Sequence, residues 1–245
     1  MMTPIANALR TGAAALLLAA TAAMPSLAQD DIHPAQAERP GDHALGAEDA
    51  PLVIVEYASF ACPHCAHFQE AAWPTVHEDF VETGQVRWIY RPMLTNPVPL
   101  AGIGAIIAEC AADDRYFDAV DLLFAEQPTI FQTVRESGDV LAVYARISAA
   151  LGISEEEMVA CLQAPEMNDM INDAAQQAGE DGIPGTPAFV INNKVLMAVG
   201  STDGTYFEWG GEPLMINGER VTGDVDGDSF SRIILHFLNN SDSGN

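Results

Sequence analysis

The chain has 245 residues and a formal net charge of −25 at pH 7, with 10 Lys and Arg residues against 35 Asp and Glu residues. This length is enough for one domain with a large insertion or for two small domains, and the apolar content excludes a disordered or fibrous chain. So acidic a protein is a poor partner for nucleic acid and for anionic membrane surfaces, and we expect it to bind neither.

The first 28 residues have the organisation of a secretory signal peptide. Arg10 supplies a positive charge, residues 12–24 carry none, and residues 26–28 form a small-x-small cleavage site. We therefore expect a periplasmic protein, exported through this signal to a compartment where disulfides persist. Residues 29–41, which contain prolines and polar side chains, are expected to form a flexible leader.

A buried strand is predicted next. Residues 42–46 suggest a short edge strand, and the nearly continuous apolar run 52–57 is typical of a strand that is buried on both faces. Glu56 is out of place in that run, since a buried carboxylate is costly without a function.

Cys62, Pro63, His64 and Cys65 follow this strand as a Cys-x-x-Cys motif. A helix that begins at Pro63 places Cys62 at its N-terminus, where free N–H groups and the helix dipole favour a thiolate. On its own, the motif fits redox chemistry, metal binding or a structural disulfide.

The middle of the chain is predicted to be helical. Apolar spacings of three and four continue the first helix to about residue 83, with a kink at Pro74. Residues 86–91 alternate as a strand that Pro92 ends. Further helices are predicted around 103–110, 116–124, 140–151, 154–162 and 165–174.

Strand signals return at 188–192, directly after Thr186 and Pro187. The pair Asn217-Gly218 predicts a hairpin, and a last helix begins at Asp228 or Ser229. Residues 193–212 are interpreted as an inserted loop or an extended hairpin whose role the sequence does not indicate.

This order of strands, Cys-x-x-Cys helix, helical stretch and Thr-Pro turn resembles the DsbA-like thiol–disulfide oxidoreductases. The resemblance covers about residues 42–240, and its specific parts are residues 49–51, 56–57, 62–65 and 185–189. It implies an α/β protein that has a thioredoxin fold with an inserted all-helical domain. The expected limits are 42–97 and 180–240 for the thioredoxin-like domain, 98–179 for the inserted helical domain, and 241–245 for a flexible tail.

The resemblance implies roles for the residues of the motif. Cys62 is the proposed nucleophile and Cys65 resolves the mixed disulfide. Pro63 and His64 match the oxidising members of the family, and the His64 imidazole is expected to favour the Cys62 thiolate. Glu56 stands where the family carries a buried acid that helps to move the proton of the inner cysteine.

Pro187 resembles the cis-proline that lies opposite the cysteines in this family, and Thr186 is expected to pair with a substrate strand. Cys110 and Cys161 lie on apolar faces of two predicted helices. An oxidising compartment and an even number of cysteines favour a structural disulfide between them.

The function implied is that of a periplasmic oxidase that donates its Cys62–Cys65 disulfide to unfolded or reduced exported proteins. A DsbB-like membrane partner would reoxidise it, and we expect a monomer that needs no cofactor or metal. The alternatives are a disulfide isomerase or reductase and, in a different class, a metal-binding periplasmic protein that uses Cys62, Cys65, His64 and His67.

Overall fold

The structure is a computed structural model, and it describes residues 33–240. The predicted signal peptide and the predicted C-terminal tail lie outside the described residues. Within them, the strands are β1 (His43–Leu45), β2 (Leu52–Ala58), β3 (Val86–Pro92), β4 (Ala188–Ile191), β5 (Lys194–Ser201), β6 (Gly204–Trp209), β7 (Glu212–Pro213), β8 (Met215–Ile216) and β9 (Glu219–Arg220).

The helices alternate with the first strands and then dominate the middle of the chain. They are α1 (Pro63–Ala71), α2 (Trp73–Val76), α3 (Val98–Glu109), α4 (Tyr116–Ala125), α5 (Gln127–Arg135), α6 (Val140–Ala150), α7 (Glu155–Gln163), α8 (Pro165–Glu180) and α9 (Gly227–Asn240). The predicted kink is confirmed, because α1 ends at Ala71 and the chain restarts as α2 with Pro74 in its first turn.

A mixed seven-stranded sheet has the order β1-β3-β2-β4-β5-β6-β7. Strands β2 and β3 are parallel, and β4 is antiparallel to β2 with Tyr57 opposite Ala188. The end of β2 and the start of β4 therefore meet at one edge, which brings the two chain segments that follow and precede them close together. The α/β class and the thioredoxin fold predicted from the sequence are confirmed.

The helices α3 to α8 lie between β3 and β4 in the chain. Their apolar stripes form a core that includes Tyr116, Leu123, Phe124 and Tyr144. Helix α5 is not among the predicted helices, because only Gln127 and Ile130 on it are buried and its apolar stripe is correspondingly narrow.

Residues 33–41, which precede β1, do not form the flexible leader that we expected. Ala35 is fully buried, and the Gln36 amide donates a hydrogen bond to the Val53 carbonyl at 3.0 Å. The Arg39 guanidinium makes two hydrogen bonds, of 2.6 and 2.9 Å, to the buried carboxylate of Asp181 at the end of α8. Its polar composition reflects these bonds rather than mobility.

Residues 193–212 form an extended hairpin, β5 and β6, which continues the main sheet beyond β4. Phe207 on β6 is buried, and the Trp209 indole N–H donates to the Ile191 carbonyl at 2.9 Å. Of the two interpretations of this stretch, the hairpin is therefore correct. None of the helices among residues 33–240 combines the length and apolar character that a membrane span requires.

Candidate active site

Helix α1 carries the two cysteines of the motif at its N-terminus. Cys62 caps the helix in an extended conformation (φ −96°, ψ 115°), and Pro63 occupies the first turn, where its missing N–H costs nothing. The Cys62 carbonyl accepts the first helical hydrogen bonds, from the N–H groups of Cys65 at 3.1 Å and Ala66 at 3.2 Å. The Cys62 side chain therefore lies at the positive end of the helix dipole.

The two thiols differ in exposure. Both are unbridged in this structure; Cys62 keeps 8% of its surface accessible and Cys65 none. The Cys62 thiol donates a hydrogen bond to the Thr186 carbonyl at 3.3 Å, and the Ser59 N–H donates to the Cys65 sulfur at 3.5 Å. Of the two, only Cys62 is accessible to a partner sulfur.

The pKa values of the two thiols also differ. A hydrogen bond from the Cys65 thiol, aided by the backbone N–H groups of Cys65 and His64, lowers the pKa of Cys62 from 9.0 to about 5 against the effect of burial. Burial raises the pKa of Cys65 well above its ordinary value. At neutral pH the outer cysteine is thus a thiolate and the inner one a thiol.

The loop before β4 faces the cysteines from the other side. The Thr186–Pro187 peptide bond is cis. The Thr186 hydroxyl is buried without a hydrogen-bond partner among the described residues, and its carbonyl receives the Cys62 thiol. The pairing of β2 with β4 accounts for this contact between residues 124 positions apart.

Glu56 lies on β2 and is 1% exposed. Burial, opposed by the hydrogen bond that the Trp88 indole donates at 3.2 Å, raises the pKa of its carboxyl to about 8. Its other oxygen has no partner among the described residues. No hydrogen bond joins Glu56 to either cysteine in this part of the chain, so its role in moving the proton of Cys65 stays a prediction.

The His64 side chain is exposed, and its backbone N–H is one of the groups that lower the pKa of Cys62. The role expected of its imidazole stays a prediction. The ring lines a cavity of about 380 Å³ together with Thr186 and Pro187. This cavity continues along the β5–β6 hairpin, and Pro187, Met197, Val199 and Phe207 line its apolar part.

The second pair of cysteines lies elsewhere. Cys110, at the end of α3, and Cys161, on α7, are joined as a disulfide with their Cα atoms 6.5 Å apart. Among residues 33–240, no group of three or more His, Cys, Asp or Glu side chains is arranged to hold a metal ion.

Three residues at the site were missed from the sequence. Ser59 donates its N–H to Cys65, Trp88 donates to Glu56, and the Gln127 amide donates to the Cys62 carbonyl at 3.1 Å. No local pattern identifies them, because each contact joins residues that only the fold brings together.

Comparisons with known proteins agree with this geometry. The model of the thioredoxin family matches residues 38–204, which is more than half of the chain. A Rickettsia typhi protein that carries the name protein-disulfide oxidoreductase is 25% identical over 152 residues, 62% of this chain and 54% of that protein. Disulfide bond formation protein D of Bacillus subtilis is 24% identical over 163 residues, 64% of this chain and 70% of that protein.

The chain thus spans about half the length of the Rickettsia relatives that it matches. Among solved structures, alpha-DsbA1 of Wolbachia pipientis superposes with a TM-score of 0.61 at 20% identity, over 84% of this chain and 95% of that one. This likeness concerns the fold. The sheet order, the helices inserted after β3 and the family match lead to one conclusion: the chain belongs to the thioredoxin family and has the DsbA form of its fold.

Proposed function

We propose that the protein is a thiol–disulfide oxidoreductase that works as an oxidase, and that its Cys62–Cys65 disulfide is donated to reduced or unfolded exported proteins. The observation that carries the proposal is the contrast between the two thiols. Cys62 is the accessible one and its pKa is lowered to about 5, whereas Cys65 is buried and its pKa is raised. A stabilised Cys62 thiolate favours the reduced protein, so the disulfide is readily given away.

The reaction has two exchange steps. A substrate thiolate attacks the Cys62 sulfur, the Cys62–Cys65 bond breaks, and Cys65 leaves as a thiolate that takes up a proton because its pKa is high. A second substrate thiolate then attacks the substrate sulfur of the mixed disulfide, and Cys62 leaves as a thiolate. The substrate loses two electrons and gains a disulfide, while the protein gains the two electrons.

The surroundings of Cys62 support the binding of an extended chain. The Thr186 carbonyl lies 3.3 Å from the sulfur, and the cavity beside Pro187 is lined mainly by apolar side chains. A substrate segment can pair with the backbone of Thr186 while its side chains enter this cavity. Pro187 has no N–H and so leaves the thiolate free for exchange.

Export to the periplasm, reoxidation by a DsbB-like membrane protein and a monomeric state complete the proposal. The charge pattern of residues 1–28 supports export, and the name of the Bacillus subtilis relative supports a role in disulfide formation. Cell fractionation of the full chain tests the location, and recovery in the cytoplasm alone would contradict it.

The decisive experiment is the redox equilibrium of Cys62–Cys65 with glutathione, combined with oxidation of a reduced, unfolded protein. We expect the oxidised protein to be reduced by mildly reducing glutathione mixtures and to oxidise the substrate, with Cys62→Ala inactive in both assays. A potential as low as that of thioredoxin, about −270 mV, would replace the oxidase proposal with a reductase. Efficient repair of a scrambled substrate would instead indicate an isomerase.

A further inference from the structure

We infer that Gln127 is a positioning residue through which the inserted helices hold the backbone of the reactive cysteine. The inference rests on the redox role proposed above for Cys62. Gln127 opens α5, within the helical insertion, and lies 65 positions from Cys62 in the chain. It touches no reacting sulfur in this structure, and its effect on Cys62 passes through the main chain.

One side-chain amide group makes two hydrogen bonds to the turn that carries Cys62. The Gln127 side-chain nitrogen donates to the Phe60 carbonyl at 2.8 Å and to the Cys62 carbonyl at 3.1 Å. An amide nitrogen has two hydrogens, so both bonds form at once. Gln127 is 3% exposed, which shields these bonds from competition by water.

Phe60, whose carbonyl accepts one of these hydrogen bonds, is itself packed against the inserted helices. The Phe60 ring lies 4.9 Å from the ring of Phe124 on α4, centroid to centroid. Gly104 on α3 leaves room for Phe60, because a Cβ atom there would lie 2.7 Å from the Phe60 Cβ atom. The turn that leads into α1 is thus packed against three helices of the insertion, and Gln127 is the polar contact among them.

The geometry of Cys62 explains why this matters for chemistry. The extended φ and ψ angles of Cys62 direct its sulfur toward the Thr186 carbonyl, while its own carbonyl starts α1. Without Gln127, the Phe60 and Cys62 carbonyls lose this donor, and the turn keeps only the packing of Phe60 and its own hydrogen bond from the Cys62 N–H to the Ser59 carbonyl. A small shift of Cys62 then moves its sulfur away from the backbone N–H groups of Cys65 and His64, which stabilise the thiolate.

The test replaces the amide by a side chain of similar length without a donor, Gln127→Met. Thiolate absorbance at 240 nm against pH is recorded for the full chain in its reduced form, and the glutathione equilibrium is measured at pH 7. We expect the Cys62 midpoint to rise by about 0.4–1 pH unit and the protein to become about two- to tenfold less oxidising, the size of one hydrogen bond.

The matched control is Gln132→Met, on the exposed side of the same helix, where the amide contacts only Glu136 in this structure. This substitution should leave the Cys62 midpoint and the glutathione equilibrium unchanged. If Gln127→Met loses stability but keeps the wild-type midpoint and equilibrium, the residue is merely structural and the inference is overturned.

A second variant, Gln127→Leu, has a similar volume and no donor, and it guards against poor folding of the first. Because neither carbonyl then receives a hydrogen bond from this position, the midpoint should rise as it does with Met. A wild-type midpoint in this variant would also overturn the inference. Failure of the wild-type protein to exchange with glutathione at all would instead refute the proposed function.

Discussion

The acidity of Cys62 predicts that the stability of the reduced protein depends on pH in a way that the oxidised protein does not share. The folded pKa is about 5 and the ordinary value is 9.0. A depressed pKa adds stability that is complete above the unfolded value and is lost as the pH falls through the folded one. At pH 7 the gain is at most ~2.7 kcal/mol, and solvent screening at this partly open site reduces it to roughly 1–2 kcal/mol.

The oxidised protein gains stability by a different route. Its disulfide closes a loop of four residues, which the chain-entropy relation values at roughly 2 kcal/mol at any pH. The two forms should therefore have similar stability at pH 7. At pH 4 the thiolate contribution has vanished, and the oxidised form should be the more stable by ~2 kcal/mol.

Urea unfolding of both redox forms at pH 4 and pH 7 measures this difference. Other ionisable groups contribute nearly equally to the two forms and cancel. Reduced Cys62→Ala is the control, and its stability relative to the oxidised protein should not change between the two pH values. The reasoning is refuted if reduced wild type and Cys62→Ala show the same pH dependence, or if the 240 nm titration has its midpoint above pH 7.

The effects of three other variants on stability are predicted. The raised pKa of Glu56 destabilises the fold increasingly as the pH rises from 4.5 to about 8, so Glu56→Gln should add roughly 1–3 kcal/mol at pH 7 and little at pH 4, by urea unfolding. The double change Cys110→Ala/Cys161→Ala opens a loop of 51 positions and should cost up to roughly 4 kcal/mol, by the same assay. Arg39→Ala leaves the buried carboxylate of Asp181 without its ion pair and should cost roughly 3 kcal/mol and hasten proteolysis.

Each of these has a control. A Glu56→Gln effect that is equal at pH 4 and pH 7 would show that titration of this carboxyl is not its origin. Loss of the Cys110–Cys161 bridge should leave the glutathione equilibrium of Cys62–Cys65 unchanged, and a large change would mean that the two pairs are coupled. Arg39→Ala should become weaker in effect as the pH falls and Asp181 protonates, because the pKa of Asp181 is lowered in the fold.

The parts of the fold that were predicted well carry their signals within a few residues of one another. The apolar run of β2 and the Cys-x-x-Cys motif at the start of α1 are both local, and the structure has each of them. The order of these elements was enough to identify the thioredoxin fold.

The parts that were missed depend on contacts across the chain. The Arg39 side chain is ordered by Asp181, 142 positions away, so the polar segment around it looks mobile in sequence alone. Gln127 looks equally ordinary until the fold brings it to the Cys62 carbonyl. The position of His64 at the start of α1 was predicted, whereas the direction of its side chain, which is exposed, depends on the fold around it.

The attachment of α8 has a consequence for protein engineering. Asp181, just past the end of α8, accepts hydrogen bonds from Arg39 and from the Tyr57 hydroxyl, and Arg91 on β3 donates to that hydroxyl at 2.9 Å. The helical insertion is thus bonded to the sheet and to a segment that precedes the sheet. A graft of residues 98–179 onto a smaller thioredoxin scaffold would have to bring along Asp181 and its partners, or its last helix would lose the bonds that attach it to the sheet.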